Sequence, residues 1–384
     1  VDPTPQPSIE ALTSDPHPHW AELRRTAPIA WVESLGGWVV VGHATALSVM
    51  RDAQTFTVDD PRFTTSQVVG PSMLSTDGPD HARHRQPFVE PFTPRASRAY
   101  FADFVQAESE RLVKGLAPAG QAELRTAVAG PLATASMRLA LGLEGIPVAE
   151  LLGWYGAIVQ AVADLTAGGQ VSEDGRAAYL SLTAAVQNAI GTGDDDTFLG
   201  RVSSAAGALT TAEMLSNTAV LLFGGIETTE GMIATLLLHL LSDPPWLEAA
   251  KTDPALLDAA IEESLRLEPA AAAVDRYATQ DISIGDAKIH RGDLVVVSLA
   301  AANRDPAVFD DPDHFDPRRP NLRRQLAFAQ GPHVCVGLHL ARMQARVAAT
   351  DVLALPGLHL DAERSTAPTG LVFRKPAAVW AHWG

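Results

Sequence analysis

A chain of 384 residues with 46% apolar side chains has ample material for a large core, and length alone would divide it into two or three domains. Its 45 acidic against 29 basic residues leave a formal net charge of −16, which disfavours nonspecific binding to nucleic acid or an anionic membrane while leaving room for a local basic patch. One cysteine excludes an internal disulfide, so stability does not depend on an oxidising compartment.

The N-terminal Val1-Asp2-Pro3-Thr4-Pro5-Gln6-Pro7 has neither a basic region nor an apolar run. It reads as no signal peptide or membrane anchor, and residues 1–10 read as a flexible segment of a cytoplasmic protein. Strand-like alternation follows at 29–41. Asp77-Gly78-Pro79-Asp80-His81 then starts a short helix, with Pro79 suited to its first turn and His81 and Arg85 sharing a face. Pro87 cannot continue this helix without clashing with the carbonyl of Arg83, so a kink or an end is expected there. Apolar segments of helical period occupy about 99–165 and 176–191, followed by a polar acidic loop at 192–197.

Thr210 and Glu213 have capping-box spacing and Asp243-Pro244-Pro245 is a hard stop, so 210–242 reads as one helix about 48 Å long. Asn217, Glu227, Thr228, Thr229, Glu230 and His239 interrupt it well short of the ~18 uninterrupted apolar residues of a membrane span. Inside it, adjacent Gly224 and Gly225 cost helix stability, roughly 1 kcal/mol each relative to alanine. Close approach of a ligand, with Glu227 and Thr228 beside it, or a tight helix crossing would each account for the pair. A further helical segment covers 246–266, and strand-like pieces cover 282–289, 294–299 and 371–380.

Cys335 stands at a loop-to-helix junction, with the helix running over about 337–347. Unpaired N–H groups and the helix dipole favour a thiolate there, so the thiol is expected to titrate low. Gly331 and Gly337 supply turn freedom and a bare backbone that admits a flat group to the sulfur. A lone cysteine is more often a small buried hydrophobe, and by itself it decides nothing.

The full pattern Phe328-x-x-Gly331-x-His333-x-Cys335-x-Gly337, continued by Leu340-Ala341-Arg342, resembles the haem-binding loop of the cytochromes P450. The resemblance implies a mainly α fold with a smaller β-rich part, a haem b between the long central helix and the cysteine loop, and one haem-thiolate monooxygenase domain over 1–384. In it Cys335 is the axial metal ligand, and Phe328 and Gly337 belong to the cofactor loop. Gly224-Gly225-Ile226-Glu227-Thr228 is similar to the family's oxygen groove: Gly225 lines the haem, Glu227 is the acid and Thr228 the oxygen-organising hydroxyl. Gly224 stands where alanine is common, a departure that would widen the groove. His81, Arg85, Arg276 and His333 match propionate contacts. Glu263, Arg266 and Arg319 match a structural triad.

The implied activity is oxidation of a mainly apolar small organic molecule by O2, in secondary metabolism or xenobiotic oxidation. No flavin domain fits in the chain, so electrons would come from a ferredoxin and ferredoxin reductase. The enzyme would be a cytoplasmic monomer, with Arg95, Arg98, Arg323, Arg324, Arg342 and Arg346 candidates to dock an acidic partner. The loop before Asp77, the strip Ala271-Ala272-Ala273-Val274 and Leu371-Val372-Phe373 would line the substrate pocket. Two rival readings are a peroxide-driven oxidase of the same fold, which has less need of Glu227 and Thr228 as a proton relay, and a haem sensor or carrier, which needs none.

Overall fold

A computed structural model describes residues 6–166, 170–191 and 209–384. The acidic stretch 192–197 lies outside the described residues. Helix α1 (Ile9–Ser14) begins within the segment expected to be flexible, and α2 (His17–Thr26) follows. The alternation at 29–41 forms a hairpin, β1 (Ile29–Val32) and β2 (Gly37–Val40), because Gly36 turns the chain at φ +58°. Next come α3 (His43–Arg51), β3 (Phe56–Thr57), α4 (Thr64–Val69) and α5 (Gly78–Val89). Helix α5 runs two residues past Pro87 before a 3-10 turn at Glu90–Phe92. The expected break is therefore deferred: Pro87 falls in the last turn, where little ladder remains to disrupt, and Phe88 is wholly buried.

The apolar run at 99–165 separates into α6 (Pro94–Leu116), α7 (Gly130–Ala140) and α8 (Val148–Thr166), with β4 (Gln121–Glu123) and a π turn at Arg125–Ala129 between the first two. Gly120 and Gly142 sit at positive φ, 66° and 61°, and stop the helices that composition alone would have joined. After α9 (Glu173–Gly191) comes α10 (Thr211–Ser242), whose N-terminus carries the complete Thr210–Glu213 capping box. Helix α10 is long and apolar enough to cross a membrane by length and composition, but most of its apolar window is buried inside the protein. It packs against α7, α9, α12 (Pro254–Leu267) and α14 (Leu338–Leu353), and is the spine of the main core.

The remaining elements are α11 (Pro244–Thr252), β5 (Ala273–Ala278), β6 (Ile282–Ile284), β7 (Ala287–Ile289), β8 (Leu294–Ser298), α13 (Leu299–Ala302), β9 (His359–Leu360), β10 (Pro368–Thr369), β11 (Lys375–Pro376) and β12 (Trp380–His382). The larger sheet has strand order β1-β2-β8-β5-β3. Its one parallel pair, β2 with β8, is valine-rich and almost wholly buried, as strands covered on both faces require. The predicted strand at 371–380 is mostly irregular: Phe373 makes a single bridge to Ala271, and buried Arg374 bonds the carbonyls of Pro368 and Gly370 and the Glu268 carboxylate. Burial alone would raise the Glu268 carboxyl, but His17, Arg374 and Arg304 bring it down to about 2.

Glu263 on α12 and Arg266 have no accessible side-chain surface and are paired at 2.7 Å. Arg319 joins Glu263 at 3.2 Å, completing the expected triad. Arg266 also donates to the carbonyls of Asn303 and Pro312, and Arg319 to those of Asp310, Asp311 and His314. The triad thus pins the irregular chain that leads to the cysteine loop.

Candidate active site

The loop before α14 is shaped by backbone constraints. Ala329 and Gly331 take positive φ, 57° and 78°, and a Cβ on Gly331 would fall 2.3 Å from the Met50 carbonyl oxygen. Only glycine lets the loop approach α3 so closely. A 3-10 turn at Gly331–His333 follows, and the Cys335 N–H donates to the Phe328 carbonyl at 2.9 Å. Cys335 is exposed, although protein surrounds it closely enough that burial pushes the thiol pKa up. The Gly337 N–H and the charges of Arg85 and Arg342 oppose this without reversing it. The expectation of a low-titrating thiol is therefore corrected for the metal-free protein. Gly337 is the N-cap of α14, so the helix starts beyond the sulfur and desolvation outweighs its dipole. A coordinated metal ion would reverse the balance by deprotonating the thiol outright.

Phe328 is half-buried beneath the Arg342 guanidinium, 4.5 Å from the ring centroid. Gly337 has nothing within 4 Å of where a side chain would begin, so it leaves open space beside the cysteine.

Helix α5, strand β5 and the cysteine loop gather a cationic cluster. The rings of His81 and His333 meet at a tilt of 45°, centroids 4.3 Å apart. Arg85 donates to the Val334 carbonyl at 2.6 Å, tying α5 to the loop. His333 Nε2 lies 2.7 Å from Asp77, whose other oxygen accepts from Thr57 and the Val58 N–H. Sequence reasoning missed Asp77 as the partner of His333, although it opens the motif that contains His81. Burial, with His333 and Arg85 nearby, lowers the His81 pKa to about 4. Arg276 donates to the Asp275 carbonyl, and burial lowers its pKa as well. His81 Nε2 and Arg276 Nη2 are buried without any partner. A buried guanidinium N–H and a buried imidazole nitrogen left without partners are unfavourable, and an anion that accepts from both would relieve them.

On α10, every residue from 214 to 237 is buried except Gly224, Gly225 and Thr228. The two glycines divide. A Cβ at Gly224 would meet nothing within 4 Å, whereas one at Gly225 would fall 2.2 Å from Met137 Sδ on α7. A side chain at Gly224 would thus extend into open space, while Gly225 permits a close helix crossing with α7. Gly225→Ala is expected to destabilise the protein by about 1–3 kcal/mol through overpacking. Gly224→Ala should stabilise it by about 1 kcal/mol through helix propensity. Urea unfolding of the two variants checks the opposite signs.

Thr228 Oγ1 donates to the Gly224 carbonyl at 2.6 Å, and the residue stays partly accessible. Glu227 is nearly buried and accepts from Lys375 Nζ at 2.9 Å. Lys375 carried no sequence signal for this contact.

An accessible sulfur, orphaned donors for carboxylates and bare space at Gly224 and Gly337 fit a flat, dianionic, metal-centred ring, so the residues present suit a haem. The sequence model of the cytochrome P450 family matches residues 195–365. The chain is 34% identical over 369 residues to the cytochrome P450 monooxygenase PikC of Streptomyces venezuelae, covering 91% of this chain and 86% of that one. It is 33% identical over 390 residues to the 20-oxo-5-O-mycaminosyltylactone 23-monooxygenase of Streptomyces fradiae, covering 97% and 90%. The crystal structure of CalO2 superposes with a TM-score of 0.88 at 27% identity, covering 100% of this chain and 99% of that one. The chain belongs to the cytochrome P450 family and is a P450 monooxygenase of bacterial type. Members of that family use haem, O2, a small-molecule substrate and redox partners.

Proposed function

We propose that the chain is a single haem-thiolate domain over 1–384 that hydroxylates, or otherwise oxidises, a mainly apolar small molecule of secondary metabolism. The observation that carries this reading is the accessible patch at Gly224, Gly225 and Thr228 within the otherwise buried stretch 214–237 of α10. Haem b, held by Cys335, supplies the oxygen chemistry, with the thiolate donating electron density that favours O–O cleavage. His81 and Arg276 offer their free donors to the haem carboxylates, with Arg85 and His333 alongside. Thr228 positions a proton at its hydroxyl and Glu227 replenishes it, a task for a general acid close to a water-limited groove.

Apolar walls support an apolar substrate. Phe373 meets Phe223 edge to face at 5.1 Å, beside Ala271 and Val372. The named activity of the Streptomyces fradiae relative supports hydroxylation of a secondary metabolite.

We place the enzyme in the cytoplasm as a monomer reduced by a ferredoxin and its reductase. Arg95, Arg98, Arg323 and Arg324 are exposed, with no guanidinium partner among the described residues. Arg342 and Arg346 are instead paired with Glu262 and Asp258. The docking patch therefore narrows to four arginines.

The test reconstitutes the haem protein with a ferredoxin system and a substrate chosen by spin-state titration. Thr228→Ala should lower product per reductant consumed by about tenfold or more and raise peroxide release. Arg98→Glu with Arg324→Glu should slow reduction by ferredoxin on the order of tenfold, and leave reduction by dithionite unchanged. Full turnover with peroxide alone, insensitive to Thr228→Ala, would replace the proposal with a peroxide-driven oxidase.

A further inference from the structure

Phe223, Glu227 and Gly231 stand four residues apart in one row of α10, with Glu230 beside it. The chain at 373–375 runs along that row, and its alternate residues point the same way. Phe373 meets Phe223 edge to face, and Lys375 Nζ donates to Glu227 Oε2 at 2.9 Å and to Glu230 Oε2 at 3.1 Å. Gly231 makes the approach possible, since a Cβ there would lie 3.3 Å from the Arg374 carbonyl oxygen and from Lys375 Cβ. On the far side, Arg125 Nη1 donates to Glu230 Oε1 at 2.6 Å. Charges thus alternate along Arg125, Glu230, Lys375 and Glu227, with the carboxylates buried and the two cations about a quarter exposed.

We infer that Lys375 is a positioning residue for oxygen activation, its ammonium group fixing the pose of Glu227 and thereby the supply of protons to the groove at Thr228. Two carboxylates three residues apart repel one another, and the ammonium between them satisfies both. Phe373 and Lys375 are two residues apart on one short span, so a substrate pressing on the pocket wall bears directly on the residue that holds Glu227. The inference rests on the proposed role of Glu227 and Thr228.

The experiment compares haem-loaded wild type, Lys375→Met, Glu227→Gln, the double variant and Lys375→Arg, with the same ferredoxin system and substrate. It reads product per reductant consumed and the thermal unfolding midpoint. Lys375→Met and Glu227→Gln are each expected to lower the yield by about tenfold, and the double variant to be no worse than the weaker single. Lys375→Arg keeps the charge and should recover the yield to within about threefold of wild type. The unfolding midpoints should be non-additive in the same cycle. If Glu227→Gln leaves the yield unchanged, the relay reading itself falls. If Glu227→Gln lowers the yield but Lys375→Met does not, or if their losses multiply, the relay stands and the role of Lys375 is overturned. Additive midpoints, or an arginine variant as poor as the methionine variant, also overturn it. Should Lys375→Met fail to take up haem, Lys375→Gln, neutral and of similar reach, replaces it in the cycle.

Discussion

Cys335→Ser is expected to abolish the long-wavelength Soret band of the reduced carbonyl complex and to take monooxygenation down to background by orders of magnitude, with the fold intact. Cys335 is the single cysteine, so no other thiol can replace it. Serine keeps the shape, but its hydroxyl ionises far less readily and is a harder ligand, so the electron-donating character of sulfur is lost. Haem should still bind, more weakly, because the carboxylate contacts proposed for His81, Arg85 and Arg276 do not depend on the sulfur. The carbonyl spectrum and far-ultraviolet circular dichroism check the two halves of the claim. Retention of the shifted band in the serine variant would remove Cys335 as the ligand.

The second large effect concerns stability. Glu263→Ala removes the carboxylate shared by Arg266 and Arg319, leaving two buried guanidinium groups without that counter-charge. Breaking such a buried pair costs about 3–5 kcal/mol, a substantial part of the ~5–15 kcal/mol that keeps a domain folded. The unfolding midpoint should fall by roughly 4–6 °C. Haem retention should suffer together with the midpoint, since the carbonyls released by Arg266 and Arg319 belong to the chain entering the cysteine loop. Calorimetry with haem content measured in parallel tests this. A midpoint within 2 °C of wild type, by the same scaling, would show that the triad contributes little.

Legibility from sequence followed the range of the forces involved. Helix α10 was readable nearly to the residue because its limits are local chemistry, a capping box at one end and Asp243-Pro244-Pro245 at the other. The segment 99–165 was misjoined because alanine-rich stretches carry helical periodicity across Gly120 and Gly142, whose positive φ decides the matter only in the folded chain. The cysteine loop was legible as a pattern, but the pKa of its thiol was not. Desolvation depends on everything packed around Cys335, and a junction motif reports only the nearest N–H groups. Lys375 lies 148 residues from Glu227, a separation that no local pattern bridges. Likewise, Asp77 looked like a turn residue until the fold brought His333 against it.

The neighbouring glycines of α10 have different freedoms to change. Position 225 answers to Met137 and hence to the architecture of the whole helical layer, so drift there is penalised whatever molecule the enzyme oxidises. Position 224 has no such neighbour, so a single methyl group can be added or withheld there while the scaffold is left alone. Two adjacent residues of one helix thus separate an inherited constraint from an adjustable one.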